Sequence, residues 1–400
     1  MNLKKGIIAE TLITLLSISL GILTNRILGA EQRGMLAAVM LYPAILSGVS
    51  SLQWDRQIIS DIKSKIGTLN SIKSKIAATA LTNGIVATVI VVVLSMVDNQ
   101  ISTNQVILIS IYSIISIPCL LIQLYSNAYL IAKNQTIQVY YNRILLPFIM
   151  LCILLALILV TEIYYLHIVL LTMMSWVFTA IYVLISQKIR LIKVKENLKI
   201  IISELAQYRR HMAHLLDSIS AHIDIIVVLK MLPMSFAGAY IFFKLIDLPY
   251  KIITFAFGNA TAGQLVTEDK INIRYLGKYF FIITVLMSSV LIGPINYYET
   301  VIDLVVGPTY LEYSYLIKPI TICCWTSAIG AHSYNLLTHA GAIDNLYIIQ
   351  RYDFLLRTIL MIIFTLVLGW IGLVLSIVIS NCIKIALVFY QYAIYKRLKI

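Results

Sequence analysis

The sequence predicts an all-α polytopic membrane protein, with about 12 transmembrane helices in two parallel six-helix repeats. Three observations predict it. Hydrophobic residues make up 60% of the chain and charged residues 12%, and mean hydropathy is +0.90. A soluble domain carries about 25% charged residues, so this composition argues against a soluble globule. Apolar runs of about 20 residues recur along the whole chain, as lipid-spanning helices require. The short alternating segments of a barrel do not stand out. The basic residues fall in alternate gaps between the runs, as the positive-inside rule expects.

Taken in order, the spans of the first half lie near 6–25, 35–54, 76–97, 105–131, 144–161 and 165–186. The first run, Gly6 to Leu23, follows Lys4-Lys5, shows no small-residue cleavage site and continues into Asn25-Arg26. It therefore reads as a retained helix and not a signal peptide. The second half has spans near 212–230, 236–258, 278–296, 313–338, 354–370 and 372–394. This divides the chain into an N-terminal bundle, 1–186, a cytoplasmic linker or amphipathic segment, 187–211, and a C-terminal bundle, 212–400.

Loop charge sets the expected orientation. The gap 55–75 holds Arg56, Lys63, Lys65, Lys73 and Lys75, and the gap 187–211 holds seven Lys or Arg residues. The gaps 98–104, 162–164 and 297–312 hold no Lys or Arg. Both termini are expected on the cytoplasmic side. The net charge of +13 is explained by these loops and is not a nucleic-acid signature. The five cysteines lie within apolar runs and read as core residues, not disulfides or metal ligands.

The halves echo each other. Arg26-Ile27-Leu28 is followed by Gly34, and Lys230-Met231-Leu232 by Gly238, at the same interval. A second echo links Asn127 and Arg143 with Asn335 and Arg351. Six spans per half give both halves one orientation, hence a parallel repeat about an axis along the membrane normal.

The Asn25-Arg26-Ile27-Leu28-Gly29 turn with Gln32-Arg33-Gly34, and His222-Ile223-Asp224 before Ala237-Gly238-Ala239-Tyr240, carry a resemblance. Gly307-Pro308-Thr309-Tyr310 and the Ile371-Gly372 turn add to it. In this order and frame the chain resembles the polysaccharide flippases of the multidrug/oligosaccharidyl-lipid/polysaccharide exporter superfamily. The resemblance implies two V-shaped bundles that alternate access. It implies an undecaprenyl-pyrophosphate-linked oligosaccharide as substrate, such as an O-antigen or capsule repeat unit of lipopolysaccharide or polysaccharide biosynthesis. It implies a bacterial inner (cytoplasmic) membrane location, membrane lipids and polysaccharide polymerase machinery as partners, and no nucleic acid.

The residues themselves supply candidate sites. Span seven places His214, Asp217, Ala221 and Asp224 on one face, and span eight does the same with Tyr240, Lys244, Asp247 and Lys251. In an antiparallel hairpin Asp224 and Lys244 meet at one depth, as do Asp217 and Lys251, with Asp247 left over. A charge at the bilayer centre costs roughly 2.5–3.5 kcal/mol, so these groups must face each other or water. Two readings stand for the pairs: structural ion pairs, or a cavity in which lysines meet phosphate and aspartates couple transport to a proton or sodium gradient. Unpaired Asp247 favours the second reading, while His222 reads as a satisfied buried histidine. Glu10 begins a polar stripe with Thr14, Ser17, Gly21 and Asn25, and stands either at the interface or among the coupling acids. Lys318 shares a face with Trp325 and His332, and Lys384 with Asn381. Arg26 and Lys230 either hold pyrophosphate or snorkel to head groups.

The substrate-binding candidates are therefore Arg26, Lys230, Lys244, Lys251, Lys318 and Lys384, and the ion-coupling candidates Asp217, Asp224, Asp247 and Glu10. Bases outnumber acids, which suits a pyrophosphate better than a cationic drug. No phosphate loop, metal spacing or nucleophile elbow is found, so an enzyme, a cofactor and a metal are not expected. The rival readings are a multidrug or cation antiporter of the same fold, with an acidic interior, and a membrane glycan polymerase or ligase, with a large arginine-bearing outer loop. A non-transporting scaffold would not need so many buried charges.

Overall fold

The structure, a computed structural model, describes residues 3–52, 54–63, 69–99, 101–133, 135–189, 215–216, 218–250, 253, 281–282, 284–289, 302, 307–339 and 343–398. Every regular element among them is helical, as the apolar periodicity predicts. The expected amphipathic linker helix, most of span nine and the Asp217–Lys251 pair lie outside the described residues.

The first two expected spans form one long element, α1 (Leu3–Ser50), broken at Gly29 with φ 69° and ψ 177°. That backbone region is open essentially to glycine alone, so the break falls where the sequence put a turn. A short helix, α2 (Trp54–Lys63), follows where the sequence indicated only a polar gap. Then come α3 (Leu69–Val97), α4 (Thr103–Ala132), α5 (Thr136–Ile158) and α6 (Tyr165–Ser186). Ser102 opens α4 with a capping box: the Gln105 amide donates to its hydroxyl, and its own amide donates to the Gln105 side chain. Beyond the linker lie α7 (Ile223–Met231) and α8 (Met234–Phe243), the latter running into a 3-10 turn at Lys244–Ile246. A second 3-10 segment, Pro308–Leu316, leads into α9 (Ile317–His339), and α10 (Ile343–Leu368) and α11 (Trp370–Leu398) close the chain.

Among the described residues, 6 helices are long and apolar enough to cross a membrane, the first being the 40-residue stretch Thr11–Ser50. Large apolar side chains such as Val86, Val89 and Val93 on α3, and Leu166, Leu170 and Met174 on α6, lie on the exterior. Water would not tolerate so continuous an apolar face, whereas lipid solvates it.

Residues cluster into two units, Met1–Leu20 with Met35–Ile219, and Gly21–Gly34 with Ser220–Ile400. In the first, α4 packs on α2, α3 and α6. The carbonyls at the end of α1 have no helical partner, and buried side chains supply one. The Asn83 amide donates to the Ser50 carbonyl at 3.0 Å, and the Tyr125 hydroxyl donates to that of Ser51 at 3.0 Å. Trp54 of α2 meets the Tyr125 ring edge-on at 4.8 Å. One turn further along α4, Lys73 and Lys133 flank the Tyr129 ring at 5.5 and 5.1 Å, and Lys73 donates to the Gln187 carbonyl at 2.6 Å.

In the second unit the segment after the Gly29 break lies against α8, backbone to backbone. A Cβ on Gly238 would stand 1.7 Å from the Ala30 oxygen, and one on Gly34 2.2 Å from the Met234 oxygen. The two glycines matched by the sequence echo thus permit one close crossing. Around it pack Phe236, Tyr240, Phe243, Tyr310 and Leu316.

Two helix starts precede the expected ones, and one span differs internally. Span eleven begins at Ile343, not 354, and span five at Thr136, not 144. A hydropathy ruler stops at polar residues such as Asp353 even when the fold buries and pairs them. Span eight is not one continuous α-helix: it tightens to 3-10 at Lys244, a local change that apolar periodicity does not encode.

Candidate functional site

The C-terminal unit gathers charged side chains from four helices into two adjoining groups. The first is built by α7 and α8. His222 precedes α7, so Asp224 lies in the first helical turn, where the helix dipole favours an acid. On α8, Tyr240 and Lys244 are four residues apart and share a face. Lys244 Nζ lies 2.6 Å from Asp224 Oδ2, and the Tyr240 hydroxyl donates to the same oxygen at 2.6 Å. The pairing expected from depth is formed. Its side chains are 27% exposed for Lys244 and 11% for Asp224, so the lysine is open on one side, and the 3-10 turn places it at a break in its helix.

The second group is closed. Asp353 of α10, 0% exposed, meets Lys384 of α11 at 2.8 Å and Arg357, one turn along α10, at 3.8 Å. Arg357 also donates to the Asn381 side-chain oxygen. Asn381 in turn donates to the hydroxyls of Thr326 at 3.1 Å and Ser327 at 2.8 Å on α9. The helices α7 and α10 pack together, and Arg357 lies within electrostatic range of Asp224. A carboxylate in lipid would be costly alone; here each is held by a tethered cation.

The expected site residues distribute unevenly. Asp224 and Lys244 form the first group and Lys384 joins the second. Lys384, read from the sequence as a substrate cation beside Asn381, has its ammonium engaged by Asp353, a partner the hydropathy ruler had left in a loop. The reading of Asp247 as lacking a partner is corrected. It is half-buried with an interaction of its own, and its charge acts on Lys244, one turn back; pairing by depth alone had overlooked that neighbour. Arg26 and Lys318 are exposed and stand outside the two groups, while Lys230 is half-buried. Asp217, Lys251 and the side chain of Glu10 fall outside the described residues. Sequence reading missed Asp353, Arg357, Thr326 and Ser327. The spacings Asp353…Arg357 and Asn381…Lys384, each about one helical turn in neighbouring spans, were the available signal.

Tyr240→Phe removes one donor to an ionised oxygen and leaves Lys244 in place. We expect it to lower stability by about 1.5–3 kcal/mol, read as a fall in the thermal unfolding midpoint in detergent with the fold retained.

No protein-family model matches, and no curated protein matches. Solved structures do. The chain is similar to a structure of the lipid II flippase MurJ in an inward closed conformation, with a TM-score of 0.76 at 14% identity, covering 96% of this chain and 87% of that one. It is similar to an inward-facing multidrug resistance MATE family transporter of the MOP superfamily, with a TM-score of 0.69 at 13% identity over 96% of each chain. A third likeness is to a MOP superfamily transporter from Pyrococcus furiosus, described as having a binding pocket of reverse polarity that suggests a different function. Its TM-score is 0.62 at 13% identity, covering 98% of this chain and 94% of that one. At these identities the likeness establishes the fold. All three neighbours are transporters or flippases.

Proposed function

We propose that the chain is a flippase that carries an undecaprenyl-pyrophosphate-linked oligosaccharide across a bacterial inner membrane by alternating access, with both termini cytoplasmic. The observation that carries this reading is the pair Asp224–Lys244. It offers a half-buried cation open on one side, at a break in its helix, inside a fold shared with a lipid-linked-substrate flippase. A pyrophosphate entering there competes with Asp224 for Lys244, because both are oxyanions and the lysine offers its ammonium to either. When the lysine turns to the substrate, Asp224 loses its counter-ion and becomes the group that takes up a coupling proton or cation. The closed Asp353–Lys384–Arg357 group serves as scaffold behind it.

The sign of the interior supports an anionic cargo. Among the described residues of the C-terminal unit, the buried or half-buried bases Arg33, Lys230, Lys244, Arg357 and Lys384 outnumber the acids Asp224, Asp247 and Asp353. A multidrug antiporter would call for the reverse.

The test uses Asp224→Asn/Lys244→Gln. Replacing both members of a pair removes the ions without stranding either, so the protein should fold. We expect transport of the lipid-linked oligosaccharide into reconstituted vesicles to fall about tenfold or more, as for loss of one charge-assisted contact. Transport at the unmodified rate would reject the reading. In cells, deletion should accumulate intact repeat units on the cytoplasmic face; unpolymerised units facing outward would instead indicate a polymerase.

A further inference from the structure

We propose that Arg33 and Tyr310 form a binding site for a phosphate-class oxyanion, at the crossing of the α1 break with α8. Arg33 directly precedes Gly34, whose α-carbon is pressed on the Met234 carbonyl, so the backbone beneath the guanidinium is clamped. Arg33 Nε is enclosed and has no hydrogen-bond partner. Tyr310, 0% exposed, lies on the 3-10 segment Pro308–Leu316, its ring 4.9 Å from Phe242 and 6.4 Å from Phe243. Its hydroxyl also has no partner. The two groups are within electrostatic range of each other, and among the described residues no carboxylate acts on either.

A guanidinium can only donate, and a buried one normally has a carboxylate. Arg33 Nε and the Tyr310 hydroxyl, two enclosed groups with donors to offer and no acceptor among the described residues, are a half-built contact. The missing half is an acceptor with negative charge, and Arg favours planar, bidentate recognition of phosphate. In a bilayer the anions at hand are phosphates, carried by glycerophospholipid head groups or by the pyrophosphate of a carrier lipid. The site lies apart from Lys244 in chemistry as well as in sequence: among the described residues it has no acid to displace. The inference holds whichever cargo the protein moves.

The experiment measures binding to the full chain in an uncharged detergent, with inorganic pyrophosphate as probe. We expect saturable binding that Arg33→Gln and Tyr310→Phe each weaken, the former about tenfold or more. Displacement of pyrophosphate by short-chain phosphatidylglycerol assigns the site to lipid head groups, and displacement by undecaprenyl pyrophosphate assigns it to the carrier lipid. The ligand-free unfolding midpoint of Arg33→Gln should stay or rise, since it removes a half-buried charge that no carboxylate among the described residues compensates. Pyrophosphate binding unchanged in both variants overturns the proposal. So does a ligand-free midpoint that falls in Arg33→Gln, which would make the residue structural. Tyr310→Phe preserves the ring packing, so weaker binding in that variant reports the lost hydroxyl and not a change of fold.

Discussion

Gly238→Ala should yield little folded protein, while Gly330→Ala, the same change on another buried helix, should be silent. The added methyl at Gly238 would sit 1.7 Å from the Ala30 oxygen and 2.7 Å from its carbonyl carbon. Both are backbone atoms, so no rotamer change relieves the clash. Overpacking a core against yielding side chains costs about 1–3 kcal/mol, and rigid backbone should take the cost to the top of that range or beyond. At Gly330 the nearest atoms to a new methyl are side-chain carbons of Ile385 and Lys384 at 3.9 Å, an ordinary contact. Monodispersity on size exclusion and the unfolding midpoint give the comparison. Equal midpoints for the two variants would mean that the α1 break does not rest on α8 in the folded protein.

Asp353→Asn should be the most damaging single change among the charged residues, and worse than Lys384→Met. The carboxylate is wholly enclosed and faces two cations, Lys384 at 2.8 Å and Arg357 at 3.8 Å. Removing it leaves both cations buried without compensation, which for one broken buried pair costs about 3–5 kcal/mol. Removing Lys384 leaves Asp353 with Arg357 on the same helix, so the loss should be smaller. Midpoints of the two single variants and of Asp353→Asn/Lys384→Met decide it. The double variant should recover part of the loss, because one stranded cation is gone; a double variant as unstable as the sum of the two would show that the groups do not interact.

How far the sequence led depends on which physical signal each residue left. Apolar runs are long and one-dimensional, so most spans were legible to within a few residues. The depth match of Asp224 and Lys244 was legible too, because two helices joined by the short turn at Leu232-Pro233 must run antiparallel. The interval from Arg26 to Gly34 and from Lys230 to Gly238 was legible as spacing. Asp353 and Arg357 were missed because the rule that locates spans treats a charge as an end, and these charges continue a helix by pairing with one another and with α11. Asp247 was misjudged because a match by depth across the hairpin ignores the neighbour one turn away on the same helix.

The chain by itself determined the class of solvent around it, the order and lengths of most of its helices, and one of its two buried ion groups. These follow from hydropathy and helical geometry, which act along the sequence. Only the tertiary structure decided that Gly34 and Gly238 meet at one crossing. It also closed Asp353, Arg357, Lys384 and Asn381 into a single network, and left Arg33 Nε and the Tyr310 hydroxyl enclosed without a partner. Those outcomes depend on which helix faces lie together in space, and neither composition nor periodicity specifies that.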